Sequence, residues 1–144
     1  MLVQQILNSK SGAGVVTVKP DATIAEAAQI LGSKKFGSLV VSSDGETPLG
    51  ILSERDIVRN IGISGAKCLE QSVDTMMTKK LVTCSVDATA DQILATMTEK
   101  RFRHMPVVKD GVLVGIITLG DVVKSRLTEL SMEKEALEGM IMGY

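Results

Sequence analysis

Two short segments of the 144-residue chain share one spacing: Gly50-Ile-Leu-Ser53-Glu-Arg-Asp56 and Gly115-Ile-Ile-Thr118-Leu-Gly-Asp121. Each runs from a glycine through two apolar residues to a hydroxyl, with an aspartate three positions later. A carboxylate is a pure acceptor and a ribose presents two neighbouring hydroxyl donors, so Asp56 and Asp121 suit a 2′,3′-diol. Ser53 and Thr118 stand where a strand-like run gives way to a helical one. Unpaired backbone N–H groups and the helix dipole favour a phosphate there. Gly50 and Gly115 are expected to let a ligand approach the backbone. The same spacing also describes an ordinary helix cap, in which hydroxyl and carboxylate satisfy backbone donors. Two other helices start with Glu26 and Gln92, the better reach-back residues, and that contrast favours a ligand role for the aspartates.

The elements that must position these segments recur along the chain. At an offset of 66 residues, Val16-Thr17 matches Val82-Thr83, Asp21-Ala22-Thr23 matches Asp87-Ala88-Thr89, and Asp44-Gly45 matches Asp110-Gly111. One residue is gained within Glu46-Thr47-Pro48. Beyond it the offset is 65, and Gly50, Asp56 and Val58 match Gly115, Asp121 and Val123. Residues 3–8 resemble residues 73–78 as a lead-in helix to each copy.

Each copy reads β-α-β-β-α. A short strand (15–18; 81–84) leads to a helix opened by the capping boxes Thr23-Ile-Ala-Glu26 and Thr89-Ala-Asp-Gln92. Apolar stripes follow at helical spacing: Ile24, Ala27, Ala28, Leu31, and Ala90, Ile93, Leu94, Met97. Two strands then turn about Asp-Gly, a strong hairpin signal because the turn demands positive φ. A unit this small cannot bury both faces of a three-stranded sheet, so two units are expected to pack sheet to sheet. The expected fold is α/β (α+β), a tandem of such repeats with pseudo-two-fold symmetry and a long C-terminal helix. The expected organisation is repeat 1 with its lead-in helix over 1–61, a linker over 62–72, repeat 2 over 73–127 and a helical extension over 128–144. Val122, Leu127, Leu130, Leu137 and Ile141 form the apolar side of the last helix, which reads as a packing or dimer surface.

Composition narrows the function classes. Net charge is −1 with acids and bases interleaved, which argues against a nucleic-acid footprint. Phe36, Phe102 and Tyr144 are the only aromatic residues, too few for a base-stacking platform. No apolar run approaches the ~20 residues of a membrane span, and the first twelve residues lack a signal-peptide layout. Cys68 and Cys84 are too few for a disulfide framework, so a cytoplasmic, reducing home is expected. His104 is the only histidine, so no His-rich metal site is expected. No nucleophile–base pair, P-loop or dinucleotide fingerprint stands out, and no catalytic residue or catalytic cofactor is assigned.

The two Gly-x-x-Ser/Thr-x-x-Asp segments, together with Arg103-His104-Met105-Pro106-Val107-Val108, resemble the signature of cystathionine β-synthase (CBS) domains. The resemblance runs from about Val3 to Arg126. It implies a CBS pair, or Bateman module, that binds an adenine nucleotide or related adenosyl ligand (AMP, ATP or NAD(H)) in clefts between the repeats. It also implies a homodimer that regulates a partner protein, expected here to be a separate chain. In the family the first strand of one repeat faces the Ser/Thr-x-x-Asp motif of the other. Carried onto this sequence, Thr17, Val18, Lys19 and Ala22 are expected to meet Thr118 and Asp121, and Thr83 and Ala88 to meet Ser53 and Asp56.

The two clefts are expected to differ. Arg55 corresponds to Gly120, and Gly37-Ser38 to Arg103-His104, so the second copy adds two candidate cations near Met105 and Pro106. Lys100 and Arg101 extend this cluster, which suits phosphate groups. The competing reading is a structural or dimerisation module whose clefts are filled by side chains.

Overall fold

The computed structural model describes residues 1–10 and 15–142. Its elements run α1 (Val3–Ser9), β1 (Thr17–Val18), α2 (Ile24–Lys34), β2 (Ser38–Val41), β3 (Gly50–Ser53) and α3 (Glu54–Ser64). Two 3-10 turns follow (Ala66–Glu70 and Val73–Thr75), then α4 (Ala90–Lys100), β4 (His104–Lys109), β5 (Val112–Thr118) and α5 (Leu119–Met142). This is the expected mixed α and β tandem with a long last helix.

Of the two expected capping boxes, Thr89–Gln92 forms in full, whereas at Thr23–Glu26 only the hydroxyl half forms. Thr23 Oγ1 accepts the Glu26 N–H and Thr89 Oγ1 accepts the Gln92 N–H, opening α2 and α4. The helices end at Lys35 and Arg101, both in the left-handed region. Ile24, Ala27 and Leu31 of α2 are buried against Leu39, Val41 and Leu52, one core per copy. Ala90, Ile93 and Met97 of α4 are buried against Met105, Val107 and Ile117, the other.

In the first copy β1 pairs parallel with β2, and β2 antiparallel with β3. In the second, β4 and β5 form a hairpin closed by Asp110 and Gly111, both at positive φ (52° and 79°). The matching first-copy turn is longer. There the Asp44 carboxylate accepts the Thr47 and Glu46 N–H groups, each at 2.8 Å, which lowers its pKa to about 2.

The segment predicted as a strand over 81–84 is reduced to one parallel bridge, Cys84 to Val107. Cys84 donates to the Pro106 carbonyl at 3.0 Å and accepts from the Val108 N–H at 2.9 Å. The next bond of such a ladder needs an N–H at position 106, and proline has none.

The lead-in segments exchange partners. Val3 and Ile6 of α1 are buried in the core of the second copy, whereas Val73, with Met76 and Met77 beside it, packs in the first. Val3 donates to the Ala88 carbonyl and Val73 to the Ala22 carbonyl, both at 2.8 Å. A Cβ on Gly115 would fall 2.6 Å from Leu7 Cδ2, and one on Gly50 would fall 2.6 Å from Met77 Sδ. Both glycines therefore make room for a lead-in side chain, not for a ligand as the sequence suggested. The second lead-in is a 3-10 turn where a helix was expected. It continues to Thr78, which exchanges backbone hydrogen bonds with Ile51 (2.9 and 3.1 Å) and so adds an edge to β3.

Of the predicted apolar side of α5, Val122 is fully buried, while Leu127, Leu130, Leu137 and Ile141 are exposed. Among the described residues no helix is long and apolar enough to cross a membrane.

Candidate functional site

Ser53 ends β3 and caps α3. Its Oγ accepts the Asp56 N–H at 3.2 Å, and Asp56 Oδ2 accepts the Ser53 N–H at 3.0 Å. Thr118 and Asp121 repeat the arrangement at the start of α5, at 3.1 and 2.9 Å. At α2, by contrast, Thr23 caps through its hydroxyl alone. The expectation that aspartate reaches back poorly is thus overturned: with the Ser53 backbone extended (φ −103°, ψ 157°), the short Asp56 side chain spans the gap. Capping does not exhaust the carboxylate. Asp56 uses Oδ2 for the cap, and among the described residues Oδ1 accepts nothing, leaving acceptor capacity in an oriented group.

Asp121 is otherwise engaged. Lys10 Nζ donates to its Oδ2 at 2.8 Å and to the Ile116 carbonyl at 3.0 Å. Burial works to raise this carboxyl's pKa, but the Lys10 bond and the Thr118 N–H outweigh it and hold the group below its ordinary value.

A cleft of about 690 Å³ opens around the first motif. The start of α3 contributes Ser53, Arg55, Asp56 and Arg59, with Gly37 beside them. The chain leading into the second copy contributes Thr78, Lys80, Leu81 and Val82. The end of α4 and the start of β4 supply Arg101, Phe102, Arg103, His104 and Pro106, and the start of α5 supplies Thr118 to Gly120. The α3 and α5 starts are tied down alike: Glu54 donates to the Gly37 carbonyl at 2.9 Å, and Leu119 to the Arg103 carbonyl at 2.8 Å.

The cleft therefore gathers Gly37, Ser53, Arg55, Asp56, Arg103, His104, Pro106 and Thr118 of the sequence-predicted residues. The others lie elsewhere. Val18 and Met105 are core. Ser38, across the ladder from Ser53, is buried, and its Oγ has no partner among the described residues. Ala22 and Ala88 anchor the lead-ins, Thr17 is half-buried in β1, and Lys19 and Thr83 are exposed. Asp121 lies outside the cleft lining. In the place of the expected partner of the Ser53–Asp56 motif, residues 83–88, the cleft has Thr78, Lys80, Leu81 and Val82, because Thr78 is hydrogen-bonded to Ile51 next to the motif. Arg59 was missed although it lies four residues, about one helical turn, after Arg55.

His104 and Gly37 meet across the cleft. A Cβ on Gly37 would lie 3.0 Å from His104 Nε2. Burial above all lowers the imidazole pKa; Glu54 is the main pull the other way, Arg103 and Arg55 add to the lowering, and Asp121 opposes it least. The ring is therefore neutral at pH 7.

The family model for the CBS domain matches residues 7–63 and 73–128, the two copies seen in the fold. The chain belongs to the CBS-domain family. A CBS-domain containing protein from Agrobacterium tumefaciens is 47% identical with a TM-score of 0.82, over 88% of this chain and 99% of that one. The CBS domain pair of protein MJ0100, solved in complex with 5′-methylthioadenosine and S-adenosyl-L-methionine, is 26% identical with a TM-score of 0.75, over 91% of this chain and 98% of that one. A mitochondrial CBS domain-containing protein of Arabidopsis thaliana is 33% identical over 127 residues, 85% of this chain. The chain spans 62% of that relative's length. CBS pairs of this kind are regulatory ligand-binding modules. Among the described residues of this one, no three His, Cys, Asp or Glu side chains gather to hold a metal ion.

Proposed function

We propose that the cleft at Asp56 binds an adenosyl ligand, an adenine nucleotide or a relative of one, and that occupancy regulates a partner protein. One observation carries the reading: the oriented Asp56 carboxylate, its Oδ1 without a partner among the described residues, opens onto a ligand-sized cleft beside the apolar Ile51, Leu81, Val82 and Pro106. A ribose diol suits the carboxylate, a purine suits the apolar lining, and a phosphate suits the Arg55 and Arg59 side chains, since the Ser53, Glu54 and Asp56 N–H groups at the start of α3 are already bonded within the protein. The MJ0100 domain pair, which carries adenosyl compounds in its crystal structure, supports the choice. Ligand binding acts on a partner by differential affinity for two conformations or assemblies, a homodimer among them. A reducing, cytoplasmic setting fits the free thiols Cys68 and Cys84.

The alternative of side-chain-filled clefts finds support only at the second motif, where Lys10 occupies Asp121. Calorimetric titration with AMP, ATP, NAD and S-adenosylmethionine decides between them. Saturable binding by wild type that Asp56→Ala abolishes is the expected result; no binding by any of the four overturns the proposal.

A further inference from the structure

The cleft's charge is out of keeping with the chain's. Arg55, Arg59, Lys80, Arg101 and Arg103 line it against only two carboxylates, Glu54 and Asp56, a formal +3 (five minus two) in a protein of net charge −1. None of the five cations is in an ion pair among the described residues. They come from three separate stretches of chain. Arg55 and Arg59 share a face of α3 one turn apart, Arg101 and Arg103 flank the turn into β4, and Lys80 precedes the apolar Leu81-Val82. All five are exposed, so water screens their mutual repulsion, but no carboxylate ion pair among the described residues holds them and an anion entering the cleft meets all five unengaged. Guanidinium groups also present forked donors that match phosphate oxygens two at a time.

We infer that the ligand of this cleft carries two or more phosphates, and that the five cations select it against adenosyl compounds with uncharged or cationic tails. The inference rests on the adenosyl reading above and names the class within it. Asp56 is its ribose anchor, and Arg55, Arg59, Lys80, Arg101 and Arg103 form its phosphate wall. A single phosphate engages part of that wall; a diphosphate or triphosphate spans more of it. S-adenosylmethionine brings a sulfonium and an ammonium with only one carboxylate, a net +1 tail that the same groups disfavour. Specificity therefore comes as much from rejection of cationic tails as from attraction.

The test is a calorimetric series on the full chain with 5′-methylthioadenosine, S-adenosylmethionine, AMP, ADP, ATP and NAD, with tripolyphosphate and GTP as controls. Affinity is expected to rise about tenfold from AMP to ADP or ATP, to fall steeply with salt, and to be weakest for the two sulfur compounds. The double variant Arg101→Gln, Arg103→Gln is expected to lose that advantage and bind ATP no better than AMP, with an unchanged melting temperature without ligand. Equal affinity for methylthioadenosine and ATP overturns the inference and leaves the adenosyl reading standing. Equal affinity for GTP, tripolyphosphate and ATP overturns the adenosyl reading, and with it the proposed class. Binding of ATP that Arg101→Gln, Arg103→Gln leaves undiminished also overturns the inference.

Discussion

Lys10 Nζ and Asp121 Oδ2 lie 2.8 Å apart, whereas the equivalent Asp56 has no ion-pair partner among the described residues. The two Ser/Thr-x-x-Asp motifs are thus alike in backbone and unlike in state: one carboxylate faces an open cleft, the other is held by the protein's own lysine. Lys10→Met is expected to raise the Asp121 pKa toward its ordinary value. Because the folded-state pKa is depressed, the pair stabilises the fold above about pH 4 and the contribution is lost as pH falls through the folded value. For a partly exposed pair its size is at most about 1 kcal/mol. Carboxyl NMR titration and urea unfolding at pH 7 and pH 3 check both statements.

Asp56 has two duties that substitution can separate. Asp56→Ala removes the cap on the Ser53 N–H and is expected to cost about 1 kcal/mol of stability as well as ligand binding. Asp56→Asn keeps a carbonyl acceptor for the cap but loses the charge and the second acceptor. It is expected to melt near wild type and to bind about tenfold more weakly. Thermal melts run beside calorimetry distinguish the two; equal melting of both variants well below wild type is the contrary result.

Gly115 and Gly50 are predicted to accept a side chain only when a lead-in side chain shifts, Leu7 at Gly115 and Met77 at Gly50, where the Thr78 carbonyl also stands 3.0 Å away. Gly115→Ala sets a Cβ against Leu7, and about 1–3 kcal/mol of destabilisation is expected. The pair Gly115→Ala, Leu7→Ala is expected to be less destabilised than the sum of the two single changes, since the second removes the clash made by the first. Chemical denaturation of the four proteins measures the coupling.

His104 couples binding to pH. Its folded pKa is depressed, so as pH falls below about 6.5 the unfolded chain takes up the proton first and stability declines. A bound phosphate favours the imidazolium and raises the pKa again. Binding is therefore expected to take up protons on the acid side of neutrality, and more in wild type than in His104→Gln. Titrations in buffers of different ionisation enthalpy count the protons.

Much of the fold was legible because the chain states it twice. The helix stripes, the Asp-Gly turns and the Ser53 and Thr118 starts follow from local physics, and the repeat fixed their order. What could not be read was non-local. Nothing in the local pattern of residues 3–8 says that Val3 and Ile6 fill the other copy's core, and the role of Gly50 and Gly115 depends on that exchange. Half of the predicted site lines the cleft. Thr83 and Ala88, which do not, were placed by the family resemblance on a strand that Pro106 curtails. Lys80, Leu81 and Val82 were missed for the same reason. The state of Asp121 hinges on a lysine 111 positions away, which no spacing rule reaches.

The crossed lead-ins tie the folding of each half to the other. With Val3 and Ile6 removed, the second core is open to water; with Val73 removed, the first is. Neither half is then a self-sufficient folding unit, and the pair is expected to unfold in one concerted transition. Protection from hydrogen exchange gained at one cleft should accordingly spread to amides of both halves. An event at Asp56 would be felt at α1 and α5 through shared stability alone, with no change of shape required.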